Sequence, residues 1–304
     1  MDKRTLKSIV QFSVVIGLIL AMFVAILAGL GTDDDFVDAV VIYFIGAGFA
    51  VIGLACAPFL LIGKDHYISA LKDLALPIGL IMSCYLSIVY LGDFNQSKIY
   101  FAAWLPAVAG GMISLTLADA DFPKKLVPVG NSKSFLIWLW IICICHIANV
   151  VLGGDPFWNF SHWEKWILCF SVIYLFYLYN PKQTTIFQRI SLGAVAAIIL
   201  SVSLSTLGVG LASQEADLNI YGLGMAWGFI GTIYGSWIHI TSLLIGRLSF
   251  HYDVDSNRTN WHLAEIFTFF IILNMGPKTM FEVLDEQEKI EPEQPAVETS
   301  SGAR

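Results

Sequence analysis

The stretch ISLGAVAAIILSVSLSTLGVGLA, residues 190–212, contains no charged side chain. A helix needs about 20 consecutive, mostly apolar residues to cross a hydrocarbon layer that is about 30 Å thick. A water-soluble fold has no use for an uninterrupted apolar stretch of this length. The stretch therefore predicts a transmembrane helix.

Seven further apolar blocks accompany this one along the chain. The eight predicted spans cover residues 9–30, 39–63, 74–92, 99–118, 135–153, 164–180, 190–212 and 222–246. The chain of 304 residues is 57% apolar and 13% charged, whereas soluble domains carry about 25% charged residues. Lipid admits only helices and closed barrels, and these blocks do not alternate as barrel strands do. We predict an all-α, polytopic membrane helix bundle with about eight transmembrane helices.

Basic residues gather in alternate loops, and the basic loops of membrane proteins are the cytoplasmic ones. One set of segments, which includes the N-terminus, holds Lys3, Arg4, Lys7, Lys64, Lys72, Lys124, Lys125, Lys133, Lys182, Arg189, Arg247 and Arg258. The other set holds only Lys98 and Lys165. This asymmetry fits eight spans and predicts a cytoplasmic N-terminus.

A shift of about 121 residues superposes the third and fourth spans on the seventh and eighth. Ile99-Tyr100 then falls on Ile220-Tyr221. The shift predicts a 4+4 parallel repeat, with four-span units at residues 1–125 and 130–250, and parallel repeats occur in transporters. The alternative is that evenly spaced apolar helices superpose by chance.

Two segments follow the predicted bundle. Residues 257–276 are apolar but short, and we predict a short interfacial helix or a ninth transmembrane helix there. Residues 277–304 are rich in Glu, Gln, Pro and Ser, a composition that cannot bury a core. We predict that they form a disordered acidic tail.

Catalytic chemistry has no support in the sequence. The chain lacks a nucleophile elbow, a zinc-protease helix and a phosphate loop, so we expect neither enzyme activity nor a cofactor. It also has no basic stripe of the kind that binds nucleic acid. No Asp, Glu, Lys or Arg lies in the middle of a predicted span, although such charges usually mark ion pathways. Their absence argues against a proton pump that works alone.

Two histidines, His146 and His239, fall inside predicted spans. Paired intramembrane histidines can hold haem, which makes these two the candidates for a metal site. Their predicted depths differ by roughly 8 Å at 1.5 Å per residue, which suits one iron poorly. We expect packed or hydrogen-bonded side chains at both positions instead.

The seventh and eighth spans differ from the others in their small and hydroxyl side chains. The hydroxyl candidates for an ion path are Ser205, Thr206, Thr232 and Tyr234. The candidates for helix packing are Gly208, Gly210, Gly224, Gly228, Gly231 and Gly235. Small residues let helix backbones approach closely, and hydroxyls along a seam replace part of an ion's hydration shell. The alternative is tight packing alone, with each hydroxyl bonded to its own backbone.

Residues 222–235, GLGMAWGFIGTIYG, resemble the last span of the MotA/TolQ/ExbB proton-channel family. That span has a Gly-Pro-Ala-Met-Ala stretch, then a pair of threonines, then Leu-Tyr-Gly. The residues in register are Gly222, Met225, Ala226, Thr232, Tyr234 and Gly235. Ser205-Thr206-Leu207 is similar to the Gly-Thr-Leu-Val-Gly of the family's preceding span. The resemblance covers about residues 200–246, and the first of the family's two threonines is Gly231 here.

This resemblance implies that Thr206 and Thr232 line an ion path. It also implies a partner, because the family's titrating carboxylate lies on a separate single-span protein. Flagellar stator subunits carry a large cytoplasmic domain between their second and third spans. This chain has only a short loop there, so we do not expect it to drive a rotor.

The sequence therefore predicts an inner-membrane, proton-channel-like subunit. It would conduct or gate H⁺ or Na⁺ with a single-span partner that carries an intramembrane Asp, in a homo- or hetero-oligomer surrounded by membrane lipid. Two alternatives stay open: a non-conducting membrane scaffold or assembly subunit, and a carrier for an uncharged or lipidic solute. Compact loops and the resemblance favour a bacterial inner membrane.

Overall fold

The apolar blocks form helices where the structure describes them. The computed structural model describes residues 34–91, 103–117, 130–151, 163–179, 185–215 and 218–250. Seven α-helices and one short 3-10 helix make up this part of the chain. In order they are α1 (Asp34–Cys56), the 3-10 helix (Ala57–Leu61), α2 (Lys64–Leu91), α3 (Leu105–Thr116), α4 (Asn131–Val151), α5 (Trp163–Tyr179), α6 (Ile186–Glu215) and α7 (Leu218–Phe250).

Five stretches of these helices are long and apolar enough to cross a membrane. They are Phe44–Leu61, Lys64–Val89, Asn131–Val151, Ile186–Gly208 and Gly224–Phe250, and two shorter apolar stretches are Leu105–Thr116 and Trp166–Leu175. The described residues contain no strand. The predicted all-α class is confirmed for this part of the chain, and the five long apolar helices are consistent with an integral membrane protein. The predicted segments at 9–30, 257–276 and 277–304 lie outside the described residues.

The helices extend beyond the apolar blocks that predicted them. α2 begins at Lys64 rather than at residue 74, and α7 ends at Phe250 rather than at residue 246. Gly63 precedes α2 with φ of 154°, a value that glycine adopts without the strain of a Cβ. An apolar block ends where charged side chains begin, but the backbone hydrogen bonds of the helix continue past these charged residues. Lys64, Lys72 and Arg247 of the predicted loops therefore lie on helices.

α7 is the central helix of the described bundle. It packs along α6 and α2 and also contacts α4 and α5. Trp166 of α5 stacks on Tyr234 with ring centroids 4.0 Å apart. Trp138 of α4 donates its indole N–H to the Thr241 hydroxyl at 2.9 Å. Aromatic side chains thus join α7 to two of its neighbours.

Burial decreases from the centre of the bundle to its edge. The long apolar stretches of α2 and α7 are each 83% buried within the chain, whereas that of α4 is 28% buried. Beyond its polar first turn, α4 exposes mainly apolar side chains, which include Leu136, Leu139, Trp140, Ile147 and Val150. Apolar side chains on the outside of a membrane bundle face acyl chains, which are as apolar as leucine. α2 and α7 form the core of the described bundle, and α4 lies at its edge with an apolar outer surface, as expected of a helix that faces lipid.

Candidate functional site

The predicted seam is an antiparallel helix pair formed by α6 and α7. A Cβ on Gly208 would lie 2.7 Å from the Cα of Gly224, far inside a normal contact distance. Further along the pair, a Cβ on Gly231 would collide with the Ser201 side chain, and one on Gly235 with Ile198. The two backbones therefore approach as closely as small residues permit. A Cβ on Gly210 would meet no atom within 4 Å.

The hydroxyl groups along this seam bond mainly to their own helices. Thr206 donates to the carbonyl of Val202 at 2.9 Å, and Thr232 donates to the carbonyl of Gly228 at 2.8 Å. Ser205 is the exception, because its hydroxyl reaches the sulfur of Met225 at 3.7 Å on the facing helix. Bonds of this kind satisfy the hydroxyl proton inside the membrane without a second helix.

The four predicted ion-path residues do not share one surface. Ser205, Thr232 and Tyr234 are buried inside the bundle, whereas Thr206 is half-buried at the edge of α6. Tyr234 points away from the seam toward α5, where it stacks on Trp166. The structure thus brings Ser205 and Thr232 into the interior and leaves Thr206 at the outside. Their role in ion conduction stays a prediction.

The two histidines have different environments. His239 is fully buried, and its Nδ1 lies 2.7 Å from the Ser191 hydroxyl of α6. His146 is half-buried on α4. No group of three or more metal-binding side chains occurs among the residues that the structure describes. In the described structure, His239 thus has the Ser191 hydroxyl of the neighbouring helix as its hydrogen-bond partner.

A buried ion pair, absent from the sequence-based predictions, joins the two core helices. Asp73 of α2 contacts the guanidinium of Arg247 of α7, and the side chains are 5% and 17% exposed respectively. Sequence reasoning missed it because both residues lay just outside the predicted spans. The sequence did offer a signal. Asp73 lies one residue before the apolar block 74–92, and Arg247 lies one residue after the apolar block 222–246. The charge count places both ends on the same, predicted cytoplasmic side.

A small pocket opens beside the ion pair. It has a volume of about 20 Å³, and one buried water needs roughly 10–15 Å³. His66 and Ser69 line it together with Asp73 and Arg247, and the remaining lining side chains are apolar. The Nδ1 atom of His66 is buried and makes no hydrogen bond in the described structure. The pocket therefore combines space for a water-sized particle with a buried carboxylate and a buried ring nitrogen.

A second polar contact joins the same two helices deeper in the bundle. The indole N–H of Trp237 on α7 donates to the Tyr85 hydroxyl on α2 at 3.3 Å. Tyr85 lies about three turns beyond Asp73 along α2. The α2–α7 interface thus carries polar groups at two depths, with the charged ones near one end.

Comparison with protein-family models, with curated proteins and with solved structures finds no match to this chain. Membership of the MotA/TolQ/ExbB family therefore stays a prediction, which rests on the sequence of about residues 200–246 alone.

Proposed function

We propose that the chain is a subunit of an ion-conducting membrane complex that passes H⁺ or Na⁺. The supporting observation is the α6–α7 pair, whose run of residues 222–235 resembles a proton-channel span and lies in the centre of the bundle. In this proposal a single-span partner supplies an intramembrane Asp. The complex sits in a bacterial inner membrane.

The proposed path runs along the outer edge of α6 rather than between α6 and α7. The glycine contacts leave no room for an ion inside the helix pair. Thr206 is half-buried, and Ser203, three residues earlier on the same side, is exposed. Residues three apart on a helix are neighbours, and a hydroxyl that donates to its own backbone still offers its oxygen as an acceptor. A partner helix beside these hydroxyls would complete the path.

The test replaces Thr206 with valine and measures H⁺ and Na⁺ flux in vesicles that also contain the candidate single-span partner. Valine keeps the shape and removes the acceptor oxygen, so we expect flux to fall. Thr116→Val is the matched control, because Thr116 makes the same bond to its own helix, with Met112 at 2.7 Å, but lies on α3. Equal flux in the two variants, or no flux under any condition, would contradict the proposal.

A second candidate function is a non-conducting scaffold or assembly subunit. The favouring observation is that Thr206 and Thr232 already bond to their own backbones, as expected of hydroxyls that serve packing only. The acidic residues 277–304 would then recruit a basic partner. Deletion of residues 278–304 should abolish partner capture and leave membrane insertion intact, and exchange of the tail glutamates for glutamine should do the same. Capture that survives both changes would count against this function.

The proposed topology has eight spans, a cytoplasmic N-terminus and a 4+4 parallel repeat. Support for the repeat comes from the register of two antiparallel pairs, α2–α3 and α6–α7. A Cβ on Gly110 would collide with Ala75, and Ser114 donates to the carbonyl of Lys72. A shift of about 121 residues carries Ser114 and Lys72 to residues 235 and 193. In the structure, Gly235 of α7 lies against Ala194 of α6. The two pairs are aligned to within about one residue at this contact, whereas the Gly110 contact maps to residues 231 and 196 and Gly231 meets Ser201 instead.

A further inference from the structure

Asp73 and Arg247 carry charge into the core of a membrane bundle. Asp73 is 4% exposed, and it lies ten residues into α2, in a stretch long and apolar enough to cross a membrane. Removing a carboxylate and a guanidinium from water has a desolvation penalty that a well-packed apolar pair avoids. Ionisable side chains inside a membrane protein generally mark a functional site. The pair therefore needs an explanation beyond the folding of α2 onto α7.

The surroundings of Asp73 suit a small cation. The charged and titratable side chains that line its pocket are Asp73 and His66 from α2 and Arg247 from α7. Ser69 lies one helical turn from Asp73 on α2 and lines the same pocket. Carboxylate and hydroxyl oxygens are the ligands that hard cations prefer. The cavity of about 20 Å³ admits one particle the size of a water molecule.

Arg247 and Asp73 differ in their freedom to leave the pocket. Arg247 lies three residues before the end of α7, and its side chain is 17% exposed. Arginine near a helix end can extend its long side chain and place the charged group at the interface. Asp73 is short, 5% exposed in its side chain, and fixed on the core helix α2. When Arg247 turns outward, Asp73 stays buried, and a small cation in the pocket can take the place of the guanidinium.

We propose that Asp73 is a cation-binding carboxylate of this chain, in a site for one monovalent cation, H⁺ or Na⁺, that replaces Arg247 as its counter-charge. The inference rests on the proposed ion-conducting function and deepens it, because it gives the chain an ion ligand of its own beside that of the partner. The site lies at the end of the bundle that the charge count predicts to be cytoplasmic. Ser69 and a water held by His66 complete the coordination.

The test is infrared difference spectroscopy of the full chain in lipid nanodiscs, between neutral and acidic buffer, with and without Na⁺. Exposed carboxyl groups also protonate on acidification, so the signal to follow is the separate, higher-frequency carbonyl band of a buried carboxyl group, which we expect to be lost in Asp73→Asn. Asp65→Asn is the matched control, because Asp65 is an exposed carboxylate at the start of the same helix, and it should keep the band. Suppression of the band by Na⁺ assigns Na⁺ to the site, and a band that ignores Na⁺ assigns the proton.

A double variant guards against misfolding. Asp73→Asn with Arg247→Gln removes both charges of the pair and should fold while lacking the buried-carboxyl band. Absence of an Asp73-dependent band in the wild-type chain would overturn this inference. The ion pair would then serve only to hold α2 and α7 together. If the flux nevertheless fell in Thr206→Val, the proposed function would stand without this inference. A band without any flux would instead overturn the proposed function alone.

Discussion

The Asp73–Arg247 pair shows how two side chains at the margins of apolar blocks become part of the core. The apolar blocks were recognised by their lack of charge, so their predicted limits necessarily excluded both residues. α2 and α7 nevertheless continue through these positions and bring them together. Thr206 and Thr232 were recognisable as hydroxyls in apolar helices. Their hydrogen bonds to Val202 and Gly228 depend on rotamers that spacing alone does not specify.

The pair also leads to a stability prediction that is unequal for its two members. Arg247→Gln removes the guanidinium that contacts a buried carboxylate, and loss of one partner from a buried pair destabilises by about 3–5 kcal/mol, an effect expected in neutral buffer without Na⁺. Asp73→Asn should be milder, because Arg247 lies near a helix end and can turn toward water. Lys64→Gln, at an exposed position of α2, should change little.

These free energies of unfolding can be measured by titration of the purified chain with denaturing detergent. The double variant Asp73→Asn with Arg247→Gln should recover part of the loss seen in Arg247→Gln. Equal stability of Arg247→Gln and Lys64→Gln would show that the pair adds nothing to the α2–α7 interface.

At the scale of elements, glycine sets the distance between α6 and α7. Gly208→Ala would place a Cβ 2.7 Å from the Cα of Gly224, whereas Gly210→Ala has open space around it. Both changes raise helix propensity equally, so their difference isolates the collision. Overpacking of this kind destabilises by about 1–3 kcal/mol, and Gly210→Ala should stay within about 0.5 kcal/mol of the wild type.

The comparison can be made by detergent-induced unfolding of the two variants side by side. A Gly208→Ala chain as stable as the Gly210→Ala chain would mean that α6 and α7 separate without penalty. The sequence pattern made these glycines candidates for packing. It could not distinguish Gly208 from Gly210, because that difference depends on which side of α6 faces α7.

For the whole molecule, the class could be predicted from apolar block length, but the order of the helices from centre to edge could not. The sequence analysis distinguished the seventh and eighth spans by their small and hydroxyl side chains, but it did not rank the eight blocks by polarity to predict their burial. In the structure, the two least apolar of the five long stretches, those of α2 and α7, are the most buried. The physical reason is that polar side chains avoid lipid and turn toward other helices. Relative polarity among the blocks was therefore an unused signal.

The predicted orientation can be tested on a chain from which the five cysteines have been removed. Single cysteines at Lys64 and Lys133, both exposed positions at helix starts, should react with an impermeant maleimide only in inside-out vesicles. A cysteine at Glu215, at the end of α6, should react only in right-side-out vesicles. Modification of all three from one side would contradict the alternation of basic loops and hence the proposed topology.

The difference in burial between α7 and α4 also bears on how the chain can change over time. A position on α7 has protein on nearly every side, so most replacements there require a neighbour to change as well. In the proposed membrane setting, a position on the outer face of α4 would contact fluid acyl chains, which accept apolar side chains of many shapes. A library of random substitutions should therefore retain many variants of α4 and few of α7, and the outward face of α4 should drift freely among apolar residues.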